Sequence, residues 1–150
     1  TNIFITQVVV NAKQQNAGRW NYSGHTLYQM ENPTCIFIEP NATGRLIITN
    51  SIFFDSNKGI VCDNLNTAFV FQSGYHCFEN ITTQATAGLN VGAGIITSSA
   101  QFVNKITGDF HLQVTSPCIG AGNPIESPAP DLGAYGGNKS QSVLGWSPSN

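Results

Sequence analysis

The chain has 150 residues, a length that fits one domain, and a net charge of −2 with only 6 lysines and arginines. It has no basic run or stripe to bind a nucleic-acid backbone, and no apolar run reaches the ~20 residues that a membrane-spanning helix needs. Charged residues make up 9%, well below the roughly 25% of an average soluble domain, and Asn, Thr, Ser, Gln and Gly supply the polarity instead.

The first apolar run, Ile3 to Val10, predicts a strand. No secretory signal is legible ahead of it, and the expectation is a fragment or a processed chain whose first coils are missing. An excursion follows that contains Trp20, Asn21, Tyr22, His25 and Tyr28, the densest aromatic patch of the sequence. Aromatic faces beside amides grip sugar rings, because the C–H face of the sugar packs on the π surface while its hydroxyls find polar partners. The competing reading is that these aromatics cover a loop against the wall of the fold. Arg19 and Arg45 would add polar contacts to an acidic glycan.

From residue 30 onward a period is visible. Met30, Phe54, Phe78 and Phe102 recur about every 24 residues, each followed closely by an acid or Asn. Ile36-Phe37-Ile38-Glu39 precedes Ile60-Val61-Cys62-Asp63 by the same offset, which stacks Cys62 over Ile38. The first segment, Ile5-Thr6-Gln7-Val8-Val9-Val10, echoes Ile48-Thr49-Asn50-Ser51-Ile52-Phe53. Such a period predicts short strands that stack in parallel from coil to coil, since one coil cannot bury its apolar face alone. Met30, Phe54, Phe78 and Phe102 would form one internal ladder. Ser56-Asn57-Lys58-Gly59 and Asn64-Leu65-Asn66 read as corners. A β-sandwich also has several short strands, but it predicts no constant offset.

No segment has the apolar spacing of an amphipathic helix. Gln84 to Gly94 reads as a loop. Beyond Gly122, Pro124, Pro128 and Pro130 forbid a central strand, so residues 123–150 are expected to wrap as a cap over coils formed by residues 1–122. Cys35, Cys62, Cys77 and Cys118 include no C-x-x-C pair, so they suggest no zinc site. They allow two disulfides or four buried thiols, and Cys62 over Ile38 favours a buried thiol there.

The closing segment runs Phe102-Val103-Asn104, Gly108-Asp109-Phe110-His111-Leu112-Gln113, Ser116-Pro117-Cys118-Ile119-Gly120-Ala121-Gly122 and Asp131-Leu132-Gly133-Ala134-Tyr135. It resembles the last coil and cap of secreted right-handed parallel β-helix proteins of the pectate-lyase-like kind. The resemblance implies an all-β solenoid, a secreted or cell-surface location, and a structural role for Asp109, His111 and Asp131. It differs from the family's S-P-A-I-D-A-G in having Cys118 and Gly120, and the missing acid removes one candidate metal ligand.

Families with this architecture include lyases, glycosidases, adhesins and spikes, so the fold alone does not assign chemistry. A lyase would need acids holding Ca2+ beside a basic residue, and Asp55, Lys58 and Asp63 are the nearest match. Glu31, Asp55 and Glu79 share one register and would stack as an acidic column. No close carboxylate pair is legible for a glycosidase, and His25, His76 and His111 are scattered. Four N-x-[ST] sequons, at Asn21, Asn41, Asn80 and Asn138, are glycosylation acceptors under eukaryotic-type secretion; Asn80 also reads as a corner residue. The leading expectation is a non-catalytic extracellular module that binds polysaccharide or surface glycan through Trp20, Tyr22, His25 and Tyr28, or self-associates through its uncapped N-terminal coil. It assigns no catalytic residue, metal or cofactor. The alternative is the C-terminal part of a polysaccharide lyase or other polysaccharide-active enzyme with catalytic residues upstream, for which calcium is the expected ion.

Overall fold

The computed structural model describes residues 2–10, 27–28, 34–38 and 40–135. Among these residues there is no helix. The strands are β1 (Asn2–Thr6), β2 (Val9–Val10), β3 (Leu27–Tyr28), β4 (Thr34–Ile38), β5 (Gly44–Val61), β6 (Phe69–Ala85), β7 (Phe102–Asn104) and β8 (Asp109–Leu112). The described residues are mostly β, with the long strands parallel. β1, β2, β4 and β6 all pair in parallel with β5, and β3 pairs antiparallel with β4.

The parallel registers follow the echoes in the sequence. Ile5 opposes Ile48 and Val10 opposes Phe53, as the first repeat predicts. Ile36 opposes Ile60 and Phe37 opposes Val61, as the second predicts. Between β5 and β6 the offset is 25, from Gly44↔Phe69 to Ile60↔Ala85.

β5 has 18 residues, far longer than an ordinary strand, and it stays paired because both partners bend at the same points. Asn50 and Asp55 have positive φ, and so do Tyr75 and Asn80, which stand 25 residues further on. Gln7, at the level of Asn50 in the β1–β5 register, has positive φ too. Each left-handed residue breaks the two-residue alternation, so the side chains that face a given core change parity after it. Leu46 and Ile48, then Phe53, then Ile60 and Cys62 all enter one cluster, with Val8, Val10, Cys35, Ile36, Ile38 and Phe78.

The in-between residues point to the opposite face. Val9, Ile52, Phe54 and Cys77 form a second cluster with Ala100, Phe102, Phe110, Cys118, Leu132 and Ala134. The antiparallel β7–β8 hairpin and the closing segment cover this flank.

The expected internal ladder is therefore corrected. Phe78 stacks on Phe53, with ring centroids 5.1 Å apart and 15° between planes. Phe54 instead packs edge-on against Phe102 and Phe110 in the flank cluster. Phe102 belongs to a hairpin and not to a further parallel strand. Met30 lies outside the described residues. The corner expected at 56–59 is strand, and the bend falls one residue earlier, at Asp55. Gly59 is there for close approach, since a Cβ would strike the Gln84 carbonyl. β6 continues through Ala85, so the loop expected from Gln84 starts two residues later.

The described part of the tail bonds along the flank of the sheet. Asn123 N–H donates to Asn50 Oδ1 (2.9 Å), Gly133 N–H donates to the Asn50 carbonyl (3.0 Å), and Leu132 N–H donates to the Cys118 carbonyl (2.9 Å). Gly133 lies against Ile52 and Val9, where its positive φ and missing Cβ both suit the contact.

Candidate functional site

Where β5 and β6 bend side by side, their polar side chains gather. Asp55 sits at the second bend of β5, and Asn80, at the same level of β6, donates from Nδ2 to Asp55 Oδ1 (3.1 Å). Glu79 opposes Phe54 and is 8% exposed. Lys105, in the turn between β7 and β8, reaches back across the flank. Its Nζ lies 2.9 Å from Asp55 Oδ2 and 2.7 Å from Glu79 Oε2. The other Glu79 oxygen accepts from Ala100 N–H (2.8 Å) and Ser99 Oγ (3.4 Å). A cavity of about 190 Å3 opens here, lined by Glu79, Ser99, Gln101, Phe102, Lys105 and Gln113. A shallower one of about 270 Å3 lies on the Asp55 and Asn80 side.

This arrangement can be tested against the two chemistries expected of the architecture. A lyase base must be a neutral amine that takes a proton. Burial works against the charge on Lys105, but hydrogen bonds to Glu79 and Asp55 outweigh it and hold the ammonium above the ordinary lysine range. Lys105 is thus a counter-ion. Two carboxylates, as a glycosidase needs, do meet here, each with one oxygen on Nζ. The ammonium fills the space between them, and the second Glu79 oxygen is already bonded to backbone. The cluster as it stands pins the β7–β8 turn to the sheet.

The nearest lyase match expected from sequence is not assembled. Asp55 bonds Lys105 and Asn80, while Lys58 and Asp63 are exposed. Of the acidic column, Asp55 and Glu79 meet at one lysine without stacking on each other, and Glu31 lies outside the described residues. Among the described residues no three His, Cys, Asp or Glu converge as metal ligands.

His76 and Ser73 form a contact of the nucleophile-and-base type, with Ser73 Oγ 2.9 Å from His76 Nε2. It cannot activate Ser73. His76 Nδ1 accepts the Ser51 N–H (3.2 Å), so the proton of the neutral ring is on Nε2, which faces Ser73 and the Ile48 carbonyl (3.2 Å). The ring is fully buried, and burial lowers its pKa to about 4. It is a neutral core histidine.

Trp20, Tyr22 and His25 of the expected sugar patch, with Arg19, lie outside the described residues. Tyr28 is described by its backbone alone, which pairs with Phe37. Arg45 is exposed on β5. Of the sequons, Asn21 and Asn138 lie outside. Asn41 is exposed and accepts from Asn66. Asn80 uses the amide nitrogen that a glycan would occupy to hold Asp55. Asp109 and Asp131 hold the closing motif together: Asp131 Oδ1 accepts from Gly120 N–H (2.7 Å) and Asp109 Oδ1 meets His111 Nδ1 (2.7 Å). The His111 ring stacks on Tyr135 with centroids 3.7 Å apart.

A further cavity, about 450 Å3, is lined by Leu65, Asn66, Thr67, Phe69–Phe71 and Gly88–Asn90 and has no titratable side chain in its wall. Sequence reading missed Lys105 entirely, and no local signal marks it, because its partners are 26 and 50 residues away. No family model, no curated protein and no solved structure matches the chain.

Proposed function

We propose that this chain is part of a right-handed parallel β-helix and serves as a non-catalytic extracellular or cell-surface module. Its ligand is a polysaccharide or surface glycan, gripped by Trp20, Tyr22, His25 and Tyr28. The observation that carries this reading is the β5–β6 pairing: one unbroken parallel register, with bends at the same level in both strands. Stacked coils that turn corners together have this signature, and residues before and after both bends of β5 share one core cluster, which supports the same reading. The absence of chemistry is supported by the pinned Lys105, which is charged and bonded to both acids it meets.

Retention on immobilised polysaccharides tests the reading. Trp20→Ala and Tyr22→Ala should each abolish retention while thermal unfolding stays unchanged. Undiminished retention would reject the patch, and no retention of the unaltered chain on any acidic or neutral glycan matrix would reject the ligand class.

A second reading, a polysaccharide-active enzyme, is favoured by one observation: Asp55 and Glu79 converge on one lysine. It requires new reducing or unsaturated ends when the protein meets polysaccharide, lost in Glu79→Gln. Absence of both kinds of end sinks it for this site.

A further inference from the structure

Cys77 lies in β6 opposite Ile52, and Cys118 lies in the closing segment, yet both are fully buried in the flank cluster. One short stretch of chain holds both. The Cys77 thiol donates to the Ser98 carbonyl (3.4 Å). Two residues on, the Ala100 carbonyl accepts the Ser116 hydroxyl (2.6 Å), whose oxygen accepts the Cys118 N–H (3.1 Å). These bonds bring Cys77 and Cys118, both free thiols, together in one cluster with their side chains in contact. Cys35 and Cys62 differ: both belong to the other cluster, and Cys35 points at the Val10 carbonyl (3.8 Å).

We propose that Cys77 and Cys118 are a disulfide-forming pair whose oxidation staples the closing segment to β6. The oxidant is a small-molecule disulfide. Cys118 is the attacking sulfur, because it travels with the closing segment when that segment undocks, whereas Cys77 stays on β6 with its thiol on the Ser98 carbonyl. The Cys118 thiolate attacks one sulfur of the oxidant, the S–S bond breaks, and one thiol leaves with the proton that Cys118 gave up. Cys77 loses its proton and attacks the Cys118 sulfur of the mixed disulfide, and the second thiol leaves. Two cysteines lose two electrons and two protons, and the oxidant gains them. Because both sulfurs are buried, the first attack takes place with the segment around Cys118 undocked. The closed loop of about 40 residues is long enough for the link to raise Tm by roughly 5–10 °C.

The test uses the full chain and two variants, Cys35→Ser/Cys62→Ser and Cys118→Ser. Each is equilibrated with oxidised and reduced glutathione over a range of ratios, alkylated, and mapped by mass spectrometry. The unaltered chain should lose two of its four alkylatable thiols, yield a peptide joining Cys77 to Cys118, and gain Tm. Cys35→Ser/Cys62→Ser should do the same, whereas Cys118→Ser should show neither the link nor the gain. A link between any other pair overturns the proposal. So does a glutathione adduct on Cys118 that never resolves, or four thiols that persist at ratios where the denatured chain oxidises. If the double variant does not fold, the peptide map of the unaltered chain decides alone. The result does not depend on glycan binding, so the two proposals stand or fall separately.

Discussion

Phe53 and Phe78 lie flat on one another across the β5–β6 pair, while Phe54, the next residue along β5, belongs to the opposite face. Adjacent aromatic residues thus serve two separate cores. His76 closes the first group edge-on, 5.4 Å from Phe53 and 5.9 Å from Phe78. Phe53→Ala is expected to lower unfolding free energy by about 3–5 kcal/mol, as for other fully buried aromatics. A double-mutant cycle with Phe78→Ala should show coupling of roughly 0.5–1.5 kcal/mol, and one between Phe54 and Phe78 should show less. Urea titration measures both. Equal coupling would contradict the separation of the cores.

Asn50 ties the closing segment to the sheet from one left-handed position. Its Nδ2 donates to Glu126 Oε2 (2.7 Å) and Thr6 Oγ1 (3.2 Å), its Oδ1 accepts from Asn123 N–H, and its carbonyl accepts from Gly133 N–H. Asn50→Ala removes the side-chain bonds and adds backbone strain at φ 57°, with an expected cost of roughly 2–4 kcal/mol. Asn50→Gly relieves the strain and should cost less. Asn50→Asp sets a carboxylate against Glu126 and should cost more than Gly at neutral pH. Hydrogen exchange at the Asn123 amide should quicken in Asn50→Ala and Asn50→Gly, which lose the Oδ1 acceptor, and an unchanged rate would mean that the segment is held elsewhere.

His76 makes stability depend on pH. Its folded pKa of about 4 lies below the 6.5 of a free histidine, so between these values the unfolded chain binds a proton that the folded chain refuses. Stability from this group is complete above pH 6.5 and is lost as pH falls towards 4, a total on the order of 3 kcal/mol. His76→Asn, whose side-chain oxygen can still accept from Ser51 N–H, should flatten this part of the stability curve. An equally steep loss in the variant would assign the acid sensitivity to other groups.

The sequence revealed the fold where strand echoes ran without a bend. The Ile5/Ile48 and Ile36/Ile60 registers were legible because β-branched residues repeat at fixed offsets on both sides. The aromatic ladder misled because β5 and β6 are 25 residues apart and not 24, so Phe54 and Phe78 match in sequence but face opposite ways. One left-handed residue reverses the facing, and Asp55 and Tyr75 do not advertise that conformation as a glycine would. The site was less legible still. Lys105 joins Asp55 and Glu79 only because the β7–β8 hairpin folds onto the flank, a tertiary event with no local pattern.

Lys105 neutralises two carboxylates at once, and its removal leaves them facing each other beside a buried strand. Lys105→Met should cost roughly 1–3 kcal/mol, while Asp55→Asn/Glu79→Gln/Lys105→Met should recover part of that loss. If the triple variant is no more stable than the single one, the ion network is worth less than its solvent-exposed screening.

The first strands test self-association. Among the described residues, β1 and β2 pair on one side only, with β5. Val9 is fully buried in the flank cluster, so a charge there would disrupt the core before it reported on assembly. Phe4 is 36% exposed on β1 and is the better probe. If copies of the chain stack through this edge, Phe4→Lys should lower the native mass to that of one chain while Tm falls by only a few degrees, because an exposed charge on a sheet edge disfavours pairing with another chain but is well solvated when the edge faces water. Light scattering before and after the substitution reads the outcome, and an assembly of unchanged size moves the contact away from this edge.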